Sequence, residues 1–393
     1  MKIGIITLAG HNFGCQLQNF AVVKAYESLG HTAVTIPDKT KKGIRVTNSD
    51  RSKLSKLKPS YIAAVIRVRT KQKFLIKNQR DGLLGSIIRK KRFAAKYKQA
   101  KLRRSEAFDN FYKNNIPHTD FALNVENIPY DSLKDFDFFS TGSDQVWNPT
   151  YPENSGVKFL SFTSAHKKLT FAPSFGISQL PEYTKKPYAK WLSDFNLIGV
   201  REQRGAEIIK ELTGKDAFVM CDPTLTITRS QWEQVEQKPD FDTSKPYALT
   251  YFLGNEKNKY RRYIDKVAQK RGLRVINLFD IRDYEFYHAD PAQFIYLIHH
   301  ADCVFTDSFH CAVFSIIFKK DFVVFDRIED GRSMGSRLHT LLQTFSLEDR
   351  MFDKMQKCEF TSPDFSQTDG IIDTQRRKTL DFLQKSIETN LKG

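Results

Sequence analysis

The stretch Thr306-Asp307-Ser308-Phe309-His310 lies between apolar runs that decide the fold. The run before it, 303–305, predicts a short buried strand, and the run after it, 311–318, predicts a buried helix. A second strand is predicted at 322–325. A strand, a helix and a strand in this order form the unit from which parallel sheets are built.

The corner between the first strand and the helix predicts a functional site. Asp307 or Ser308 occupies the N-cap position, and His310 falls in the first turn of the helix. A helix start at the carboxyl end of a parallel strand gathers free backbone N–H groups and the positive end of the helix dipole. Histidine adds a group that exchanges protons near neutral pH. The corner therefore predicts an anion site with an acid or base beside it, suited to chemistry on a phosphate compound.

The same alternation of strands and helices continues in both directions along the chain. In the first half, strands are predicted at 2–8, 32–36, 135–139, 169–172, 197–200 and 217–221, and helices at 16–29 and 203–212. In the second half, strands are predicted at 247–253 and 274–279 and a helix at 258–271, and Asp290-Pro291 opens another helix. This pattern predicts an α/β protein with two Rossmann-like domains facing a cleft, at 1–235 and 236–370. A C-terminal helix at 371–393 is expected to pack back on the first domain.

Composition limits the class of protein. The chain has 393 residues, of which 40% are apolar, and its mean hydropathy of -0.47 describes a soluble globular protein with room for two cores. The first residues form a strand rather than a signal peptide, and no apolar run approaches the roughly 20 residues of a membrane helix. Five cysteines without a CxxC pair argue against a disulfide framework or a structural zinc site. We therefore expect a cytoplasmic protein.

Positive charge is concentrated in one helical insertion at about 39–115. Residues 39–104 contain 23 lysines and arginines but only two aspartates. The net charge of this segment, 23 − 2 = +21, is larger than the +17 of the whole chain. With apolar positions such as Leu84, Ile87 and Ile88, the segment predicts basic amphipathic helices that touch an anionic membrane surface or a lipid-linked phosphate substrate. A solvated insertion with ordinary basic faces is an equal alternative. Nucleic acid is not expected as a partner, because no nucleic-acid motif accompanies the charge.

Eight short motifs are spread along the chain from residue 12 to residue 338. They are Asn12-Phe13-Gly14-Cys15-Gln16-Leu17-Gln18, Gly142-Ser143-Asp144-Gln145-Val146-Trp147-Asn148-Pro149, Ala172-Pro173-Ser174-Phe175-Gly176, Val200-Arg201-Glu202, Asp222-Pro223-Thr224, Pro291-Ala292-Gln293-Phe294, Thr306-Asp307-Ser308-Phe309-His310 and Ser336-Arg337-Leu338. In these motifs and their order the chain resembles the polysaccharide pyruvyl transferases. The resemblance implies a fold like that of the two-domain GT-B glycosyltransferases. It also implies a reaction in which phosphoenolpyruvate places a pyruvate ketal on a sugar of a bacterial exopolysaccharide or capsule precursor.

The reaction implied by the resemblance needs a proton donor, cations for the donor's anionic groups and a platform for the sugar. It requires no cofactor besides phosphoenolpyruvate as co-substrate, and no metal. His310 is the expected general acid or base, against the alternative of a structural histidine that caps its helix. Arg201 follows a strand and is expected to grip a carboxylate or phosphate, against the alternative of an ion pair with Glu202. Many family members carry an arginine where this chain has Ser308.

Two interpretations of that departure remain open. Either the hydroxyl group and the helix amides suffice for the donor, or Arg337 or Arg327 supplies the missing cation. A weaker anion site or a different donor is the further consequence of the change.

The acceptor side of the cleft is expected in the first domain. Ser143, Asp144 and Gln145 follow a buried strand, and Asp144 could bind a sugar hydroxyl or act on it as a base, unless it caps a turn. Trp147 is expected to stack on the sugar ring, with core packing as the equal alternative. Asn12 and Gln16 are expected to form a wall of the cleft. His299 and His300 are adjacent on a helix and should face different ways, so no metal site is predicted.

Three functions remain after this reasoning. The first is a cytoplasmic pyruvyltransferase, located on the inner face of the plasma membrane if its acceptor is a lipid-linked oligosaccharide. The second is a nucleotide-sugar glycosyltransferase of the same architecture, and the third is a catalytically inactive scaffold of polysaccharide synthesis. The acceptor sugar, the hydroxyls that are bridged, the ketal stereochemistry and the oligomeric state are left open.

Overall fold

A four-stranded parallel sheet forms the centre of the first domain. The computed structural model describes residues 1–41, 43, 83–254, 257–279, 284–329, 332–333, 336–357 and 359–392. The strands of this sheet are β1 (Lys2–Ile6), β2 (Thr32–Thr35), β3 (Phe138–Thr141) and β4 (Lys168–Thr170), in the order β2-β1-β3-β4. Two short strands, β5 (Gly199–Val200) and β6 (Phe218–Val219), pair with each other next to β4. The Gly199 N–H makes the connection, because it donates to the Thr170 hydroxyl over 2.7 Å.

The order of this sheet reverses between β1 and β3. Helix α1 (Phe13–Ser28) begins at this point, and the Asn12 side chain caps it by accepting from the Gly14 N–H. Such a reversal opens a crevice at the carboxyl ends of the strands, where α/β proteins bind their ligands.

The second domain repeats this plan. Its parallel sheet consists of β7 (Tyr247–Tyr251), β8 (Arg274–Asn277), β9 (Cys303–Thr306) and β10 (Asp321–Val324), in the order β10-β9-β7-β8. The two central strands, β7 and β9, are buried throughout, which explains why they are largely continuous apolar runs rather than alternating ones. The crevice of this sheet lies between β7 and β9, where helix α10 (Phe309–Ile317) starts.

Helices cover both sheets. Those of the first domain are α2 (Leu83–Asn115), α3 (Tyr130–Leu133), α4 (Glu182–Ser193), α5 (Gln203–Thr213) and α6 (Arg229–Val235). Those of the second are α7 (Asn258–Arg271), α8 (Tyr284–Tyr287), α9 (Pro291–His299), α11 (Ser336–Thr344) and α12 (Phe352–Met355), with a small antiparallel pair of strands, β11 (Ile328–Glu329) and β12 (Arg332–Ser333), before α11. Asp290 and Pro291 open α9 with a capping box, as the sequence predicts.

The two domains share one hydrophobic core. Phe13 at the start of α1 stacks on Phe294 of α9, with ring centroids 4.2 Å apart and planes within 10°. Trp232 contacts Phe20 on one side and Phe314 on the other. These contacts fix the two sheet crevices opposite each other, and the α/β fold with two Rossmann-like domains facing a cleft is confirmed.

The last helix, α13 (Thr368–Leu391), lies on the first domain. Phe382 stacks on Phe218 with ring centroids 4.8 Å apart. The Asn390 amide donates to the Lys168 carbonyl oxygen over 2.9 Å, so the end of the helix is bound to strand β4. The chain thus returns to the domain in which it began.

Part of the basic insertion forms a helix that bridges the two domains. Most of the segment before α2 lies outside the described residues, so any amphipathic helix predicted there does too. On α2, the buried Arg104 lies against Phe13 and Phe108 and donates to the Tyr287 carbonyl oxygen of the second domain. Within the described part of the chain, no helix is long and apolar enough to cross a lipid bilayer.

Candidate active site

The site is built around the corner between β9 and α10. Ser308 is the N-cap residue of α10, and its side chain makes no capping hydrogen bond. Asp307 points elsewhere, because its carboxylate accepts from the Leu253 and Gly254 N–H groups over 2.7 and 2.8 Å. It thereby ties together the two loops that flank the crevice of the second sheet. His310 follows in the first turn and is buried at the domain interface.

Gly14 provides one of the contacts between His310 and the first domain. A Cβ atom added at Gly14 would lie 2.1 Å from the His310 Nδ1 atom, far closer than any real contact. The absence of a side chain therefore lets the imidazole ring lie against the start of α1. This contact brings together two motifs that are separated by almost three hundred residues.

Asp222 faces the other nitrogen of the same ring. Its Oδ2 atom lies 3.5 Å from His310 Nε2, and its Oδ1 atom accepts from the Thr224 N–H and hydroxyl over 3.0 and 2.7 Å. Burial alone would raise the pKa of Asp222. The charges of His310 and Arg201 and the hydrogen bonds from Thr224 outweigh burial and hold the pKa well below its ordinary value. Asp222 is therefore a fixed negative charge beside the histidine.

Arg201 lies between carboxylates. Its Nη1 atom is 2.8 Å from Asp222 Oδ2, its Nη2 atom is 3.3 Å from Asp144 Oδ1, and its Nε atom is 3.8 Å from Glu202 Oε2. Burial would lower the pKa of this guanidinium, but the three carboxylates raise it above its ordinary value. The ion pair with Glu202 that the sequence offered as an alternative is thus present, although it is the longest of the three. The charge of Arg201 is already balanced within the protein.

Arg337 is the cation whose charge is less balanced. Its Nη1 atom lies 3.7 Å from Asp144 Oδ1, and its side chain is 13% exposed. Burial lowers the pKa of Arg337, and the neighbouring charge of Arg201 lowers it further. The Phe309 ring separates the two arginines, with guanidinium carbons 5.0 Å and 5.8 Å from its centroid for Arg201 and Arg337. A second cation therefore stands within reach of Ser308, and an anion bound to it would be stabilised.

Arg327 lies farther along the same cleft. A Cβ atom at Gly254 would be 2.8 Å from its Cγ atom, so its aliphatic part packs on the loop after β7. The charges of Arg327, Arg337 and Asp144 all act on the hydroxyl of Tyr151, a residue of the first domain. Burial raises the pKa of Tyr151, and Asp144 raises it further. The cleft wall is thus cationic on the side of the second domain.

Asp144 is the acidic group of the first domain in this site. Its backbone φ of 62° lies in the left-handed region, which a residue other than glycine adopts at a cost of order 1 kcal/mol or more. The carbonyl oxygen of Asp144 accepts from the Val146 and Ser174 N–H groups, which hold the turn in place. Burial would raise the pKa of Asp144, but the charges of Arg201, His310 and Arg337 lower it. The carboxylate stays ionised and points at the arginines.

Trp147 does not line the cleft, and its predicted stacking on a sugar ring is wrong. The side chain has no exposed surface, and its Nε1–H donates to the Lys158 carbonyl oxygen over 3.0 Å. Its ring stacks on Phe159 and belongs to the core of the first domain. An indole ring that is surrounded by protein on all sides cannot bind a sugar.

Ser143 and Gln16 are also too deeply buried for the predicted acceptor contacts, with exposures of 0% and 2%. Gln145 is buried as well, and its side-chain oxygen accepts from the Asn148 amide over 2.6 Å. Asn12 is half-buried, and its side-chain oxygen is used to cap α1. These residues shape the loops behind the site. The predictions that Ser143 and Gln16 contact the acceptor are wrong for that reason, whereas the contact predicted for Gln145, which is as exposed as His310, stays a prediction.

The two adjacent histidines form a potential ligand group, contrary to the expectation that they would not. His299 ends α9 and His300 is its C-cap residue, and Glu236 from the segment after α6 reaches both rings. One ligand atom from each of these three residues lies within 4.8 Å of the others. The expectation of no metal-spaced cluster fails because it considered only the helix and not the opposing segment.

A cavity of about 130 Å³ opens beside Phe309. The charged end of the cavity is formed by Arg201, Glu202, Asp222 and Arg337. The other end is mainly apolar and includes Val219, Met220, Leu341 and Phe345. The cavity suits a small molecule with an anionic end and a short apolar body.

Comparisons with known proteins identify the family. No curated protein matches the chain. Among solved structures, a putative UDP-N-acetylglucosamine 2-epimerase from Listeria monocytogenes has 9% identity and a TM-score of 0.45, and covers 95% of this chain and 94% of its own. The S. aureus MnaA–UDP structure has 10% identity and a TM-score of 0.43, with 96% of each chain covered. The glycosyltransferase SnogD from Streptomyces nogalater has 8% identity and a TM-score of 0.42, with 99% of each chain covered. These likenesses support no inference about activity.

The family match is of a different kind, because it covers most of the chain and includes Gly14, Asp144, Arg201, Asp222 and His310, although Arg337 lies beyond it. The model of the polysaccharide pyruvyl transferases matches residues 12–328, from the residue that caps α1 to the first residue of β11. The resemblance inferred from the motifs is thereby confirmed. The chain belongs to the polysaccharide pyruvyl transferase family, and it is a transferase of polysaccharide biosynthesis.

Proposed function

We propose that the protein transfers a pyruvate ketal from phosphoenolpyruvate to two hydroxyls of a sugar in a bacterial exopolysaccharide or capsule precursor. The observation that carries this proposal is the meeting of His310, Asp222, Arg201 and Arg337 in one buried group. A proton-exchanging ring, two guanidinium groups and a fixed carboxylate are what the chemistry of an enol phosphate requires.

The donor binds with its anionic groups towards Arg337 and its methylene carbon towards His310. Arg337 is balanced less completely than Arg201 by nearby carboxylates, so a carboxylate or phosphate gains most there. Arg201 is already held by Asp144 and Asp222, and it serves chiefly to fix these carboxylates in place. The cavity of about 130 Å³ beside Arg337 suits the anionic end of a three-carbon phosphate ester.

His310 supplies the proton that starts the reaction. Its Nε2 atom is buried and makes no hydrogen bond within the protein, and Asp222 lies 3.5 Å away. The carboxylate stabilises the protonated imidazole without removing its proton. Transfer of that proton from Nε2 to C3 turns the methylene into a methyl group and leaves C2 electron-deficient.

The remaining steps involve the acceptor. One sugar hydroxyl bonds to C2, the bond between C2 and the phosphate oxygen breaks, and phosphate leaves with the proton of that hydroxyl. The second hydroxyl then closes the ketal at C2 and returns its proton to His310. Asp144 remains ionised, so it acts through a hydrogen bond to a sugar hydroxyl and through its charge near the cationic C2. Atoms and protons balance without an oxidant or a further cofactor.

Donor binding tests the proposal. Calorimetric titration of the protein with phosphoenolpyruvate should give saturable binding, weakened at least tenfold in Arg337→Ala. Arg204→Ala is the matched control, because Arg204 forms exposed ion pairs with Glu207 and Glu211 away from the site. Binding of UDP-glucose but not of phosphoenolpyruvate would instead favour a glycosyltransferase. If neither binds and His310→Ala leaves polysaccharide production unchanged in cells, the protein is a scaffold.

We further propose that the basic insertion brings the protein to the inner face of the plasma membrane, where a lipid-linked oligosaccharide would be its acceptor. On α2, the exposed Lys98, Lys101 and Arg103 lie near Leu102, which is 52% exposed. Cations around an exposed apolar side chain suit an anionic lipid surface. Replacement of these three cations with glutamine should reduce flotation with phosphatidylglycerol vesicles, and unchanged flotation would contradict this part of the proposal.

A further inference from the structure

A group of two histidines and one glutamate lies away from the active site, where the interdomain connection meets the second domain. Glu236 is the C-cap residue of α6, and its backbone there is extended. His299 and His300 end helix α9. The Gln237 N–H donates to the Ala292 carbonyl oxygen over 3.2 Å, so the segment that carries Glu236 is fixed to α9 by its backbone.

The three side chains converge on one point. Glu236 Oε2 lies 2.9 Å from His299 Nδ1, and Glu236 Oε1 lies 3.3 Å from His300 Nε2. All three ligand atoms lie within 4.8 Å of one another. Bonds of about 2.0–2.2 Å from a single zinc ion to imidazole nitrogen and carboxylate oxygen would require only small rotations of these side chains.

Neighbouring groups orient the two imidazole rings. The His299 ring stacks on Phe318, with centroids 4.4 Å apart, and the His300 ring lies 4.1 Å from that of Tyr296. The second nitrogen of His299, Nε2, is 3.8 Å from Glu233 Oε1. A carboxylate behind a histidine is the usual support of a metal ligand, because it fixes the tautomer and makes the coordinating nitrogen more basic.

We propose that Glu236, His299 and His300 bind a zinc ion, with His299 Nδ1, His300 Nε2 and a Glu236 oxygen as ligands and solvent in the remaining position. Two imidazoles and one carboxylate suit zinc far better than magnesium or calcium, which prefer oxygen ligands only. The ion joins the end of α6 to the end of α9 and thereby stabilises the connection between the domains.

One neighbouring cation bears on this proposal. Arg229 Nη2 lies 3.3 Å from His299 Nε2, and Arg229 Nε donates to Glu233 over 2.8 Å. Coordination through Nδ1 requires a proton on Nε2, which then donates to Glu233. Zinc binding therefore requires Arg229 Nη2 to turn away from His299 Nε2, while Arg229 Nε keeps its bond to Glu233.

Zinc titration of chelator-treated, dialysed protein at neutral pH tests the proposal. Calorimetry should show one zinc ion per chain, no comparable binding of Mg²⁺, and a zinc-dependent rise of the melting temperature. His300→Ala and Glu236→Gln should abolish the rise while the metal-free melting temperature changes little, because these side chains are partly exposed. Glu233→Gln should weaken zinc affinity about 10–100-fold through loss of ligand support.

The control variant is His166→Ala. It removes an exposed histidine whose Nε2 atom lies 3.3 Å from the Ser164 hydroxyl. It should leave zinc binding unchanged. A cluster held by hydrogen bonds alone would behave differently, with no stoichiometric zinc binding or with equal binding in wild type and His300→Ala. Either result would overturn the proposal. Cobalt substitution provides a second readout, since a site with these ligands should give visible absorption that is lost in Glu236→Gln.

Discussion

Replacement of Gly14 by alanine should disable the site without removing any of its functional groups. The added Cβ atom would lie 2.1 Å from His310 Nδ1, 2.7 Å from Cε1 and 2.8 Å from Cγ, whereas ordinary contacts begin near 3.4 Å. The imidazole ring must therefore shift by about 1.3 Å. A displacement of about 1 Å costs on the order of 100-fold in rate, which corresponds to about 2.7 kcal/mol of transition-state stabilisation.

The assay is phosphate release from phosphoenolpyruvate in the presence of acceptor, combined with calorimetric donor binding. We expect kcat to fall about 100-fold while donor affinity changes by less than about tenfold, because Arg337 does not contact Gly14. Overpacking should also lower stability by about 1–3 kcal/mol. Helix propensity favours alanine by up to about 1 kcal/mol and offsets part of this loss.

Gly10, in the loop before α1, provides the matched control. A Cβ atom added at Gly10 has no atom within 4 Å, so Gly10→Ala should retain wild-type kcat. If Gly14→Ala kept kcat within about threefold of wild type, His310 would not lie against α1 in the active protein, and the assignment of the site would fail. Equal losses in both glycine variants would point to the loop backbone rather than to His310.

Three further predictions concern single side chains. Asp222→Asn should destabilise the protein by about 3–5 kcal/mol, because it leaves Arg201 without its nearest carboxylate. The pKa of Asp222 is depressed in the folded protein, so the difference in unfolding free energy between wild type and Asp222→Asn should be fully present above pH 3.8 and should shrink as the pH falls below that value. Urea unfolding at several pH values would measure it. Trp147→Phe should cost about 1–3 kcal/mol of unfolding free energy with kcat unchanged, because the tryptophan binds Lys158 and no substrate; a raised KM for acceptor would contradict this. Arg104→Ala should cost about 2–3 kcal/mol in the same unfolding assay, through its ring contacts and its hydrogen bond across the domains, and an unchanged melting curve would refute the bridging role of α2.

The fold is largely predictable from the sequence because both sheets are parallel and buried on both faces. Continuous apolar runs therefore mark strands such as Cys303–Thr306, and caps such as Asp290 mark where helices begin. The helix predicted at 258–271 has those bounds in the structure. Helix Glu182–Ser193 gives a weaker signal, because it contains Pro187 and has no capping side chain, and the sequence reasoning did not identify it.

The site could be predicted only in part, because side-chain contacts between distant segments decide its composition. His310, Asp144 and Arg337 follow from the motifs, and the structure brings them together. Asp222 stands in a quoted motif without a predicted role, since its function depends on Arg201 and on a histidine 88 positions farther along the chain. The one signal was its place directly after a strand of the first domain.

Residues after a buried strand were the least predictable part of the site. The segment that holds Asp144 and Trp147 turns sharply, and the left-handed backbone of Asp144 directs one residue to the cleft and the other into the core. Sequence patterns do not reveal such a turn, because a tryptophan has the same apolar character in either position. The ligand group at His299 and His300 was missed for a related reason, since its third member lies on another segment.

The most direct test is the reaction itself, with lipid-linked oligosaccharides extracted from the organism that encodes the protein. With phosphoenolpyruvate as donor, mass spectrometry should show an acceptor heavier by one pyruvate less one water, with one phosphate released for each product and neither change with His310→Ala. Unmodified acceptor with phosphoenolpyruvate, together with a glycosylated acceptor when a sugar nucleotide is supplied, would contradict the proposed function.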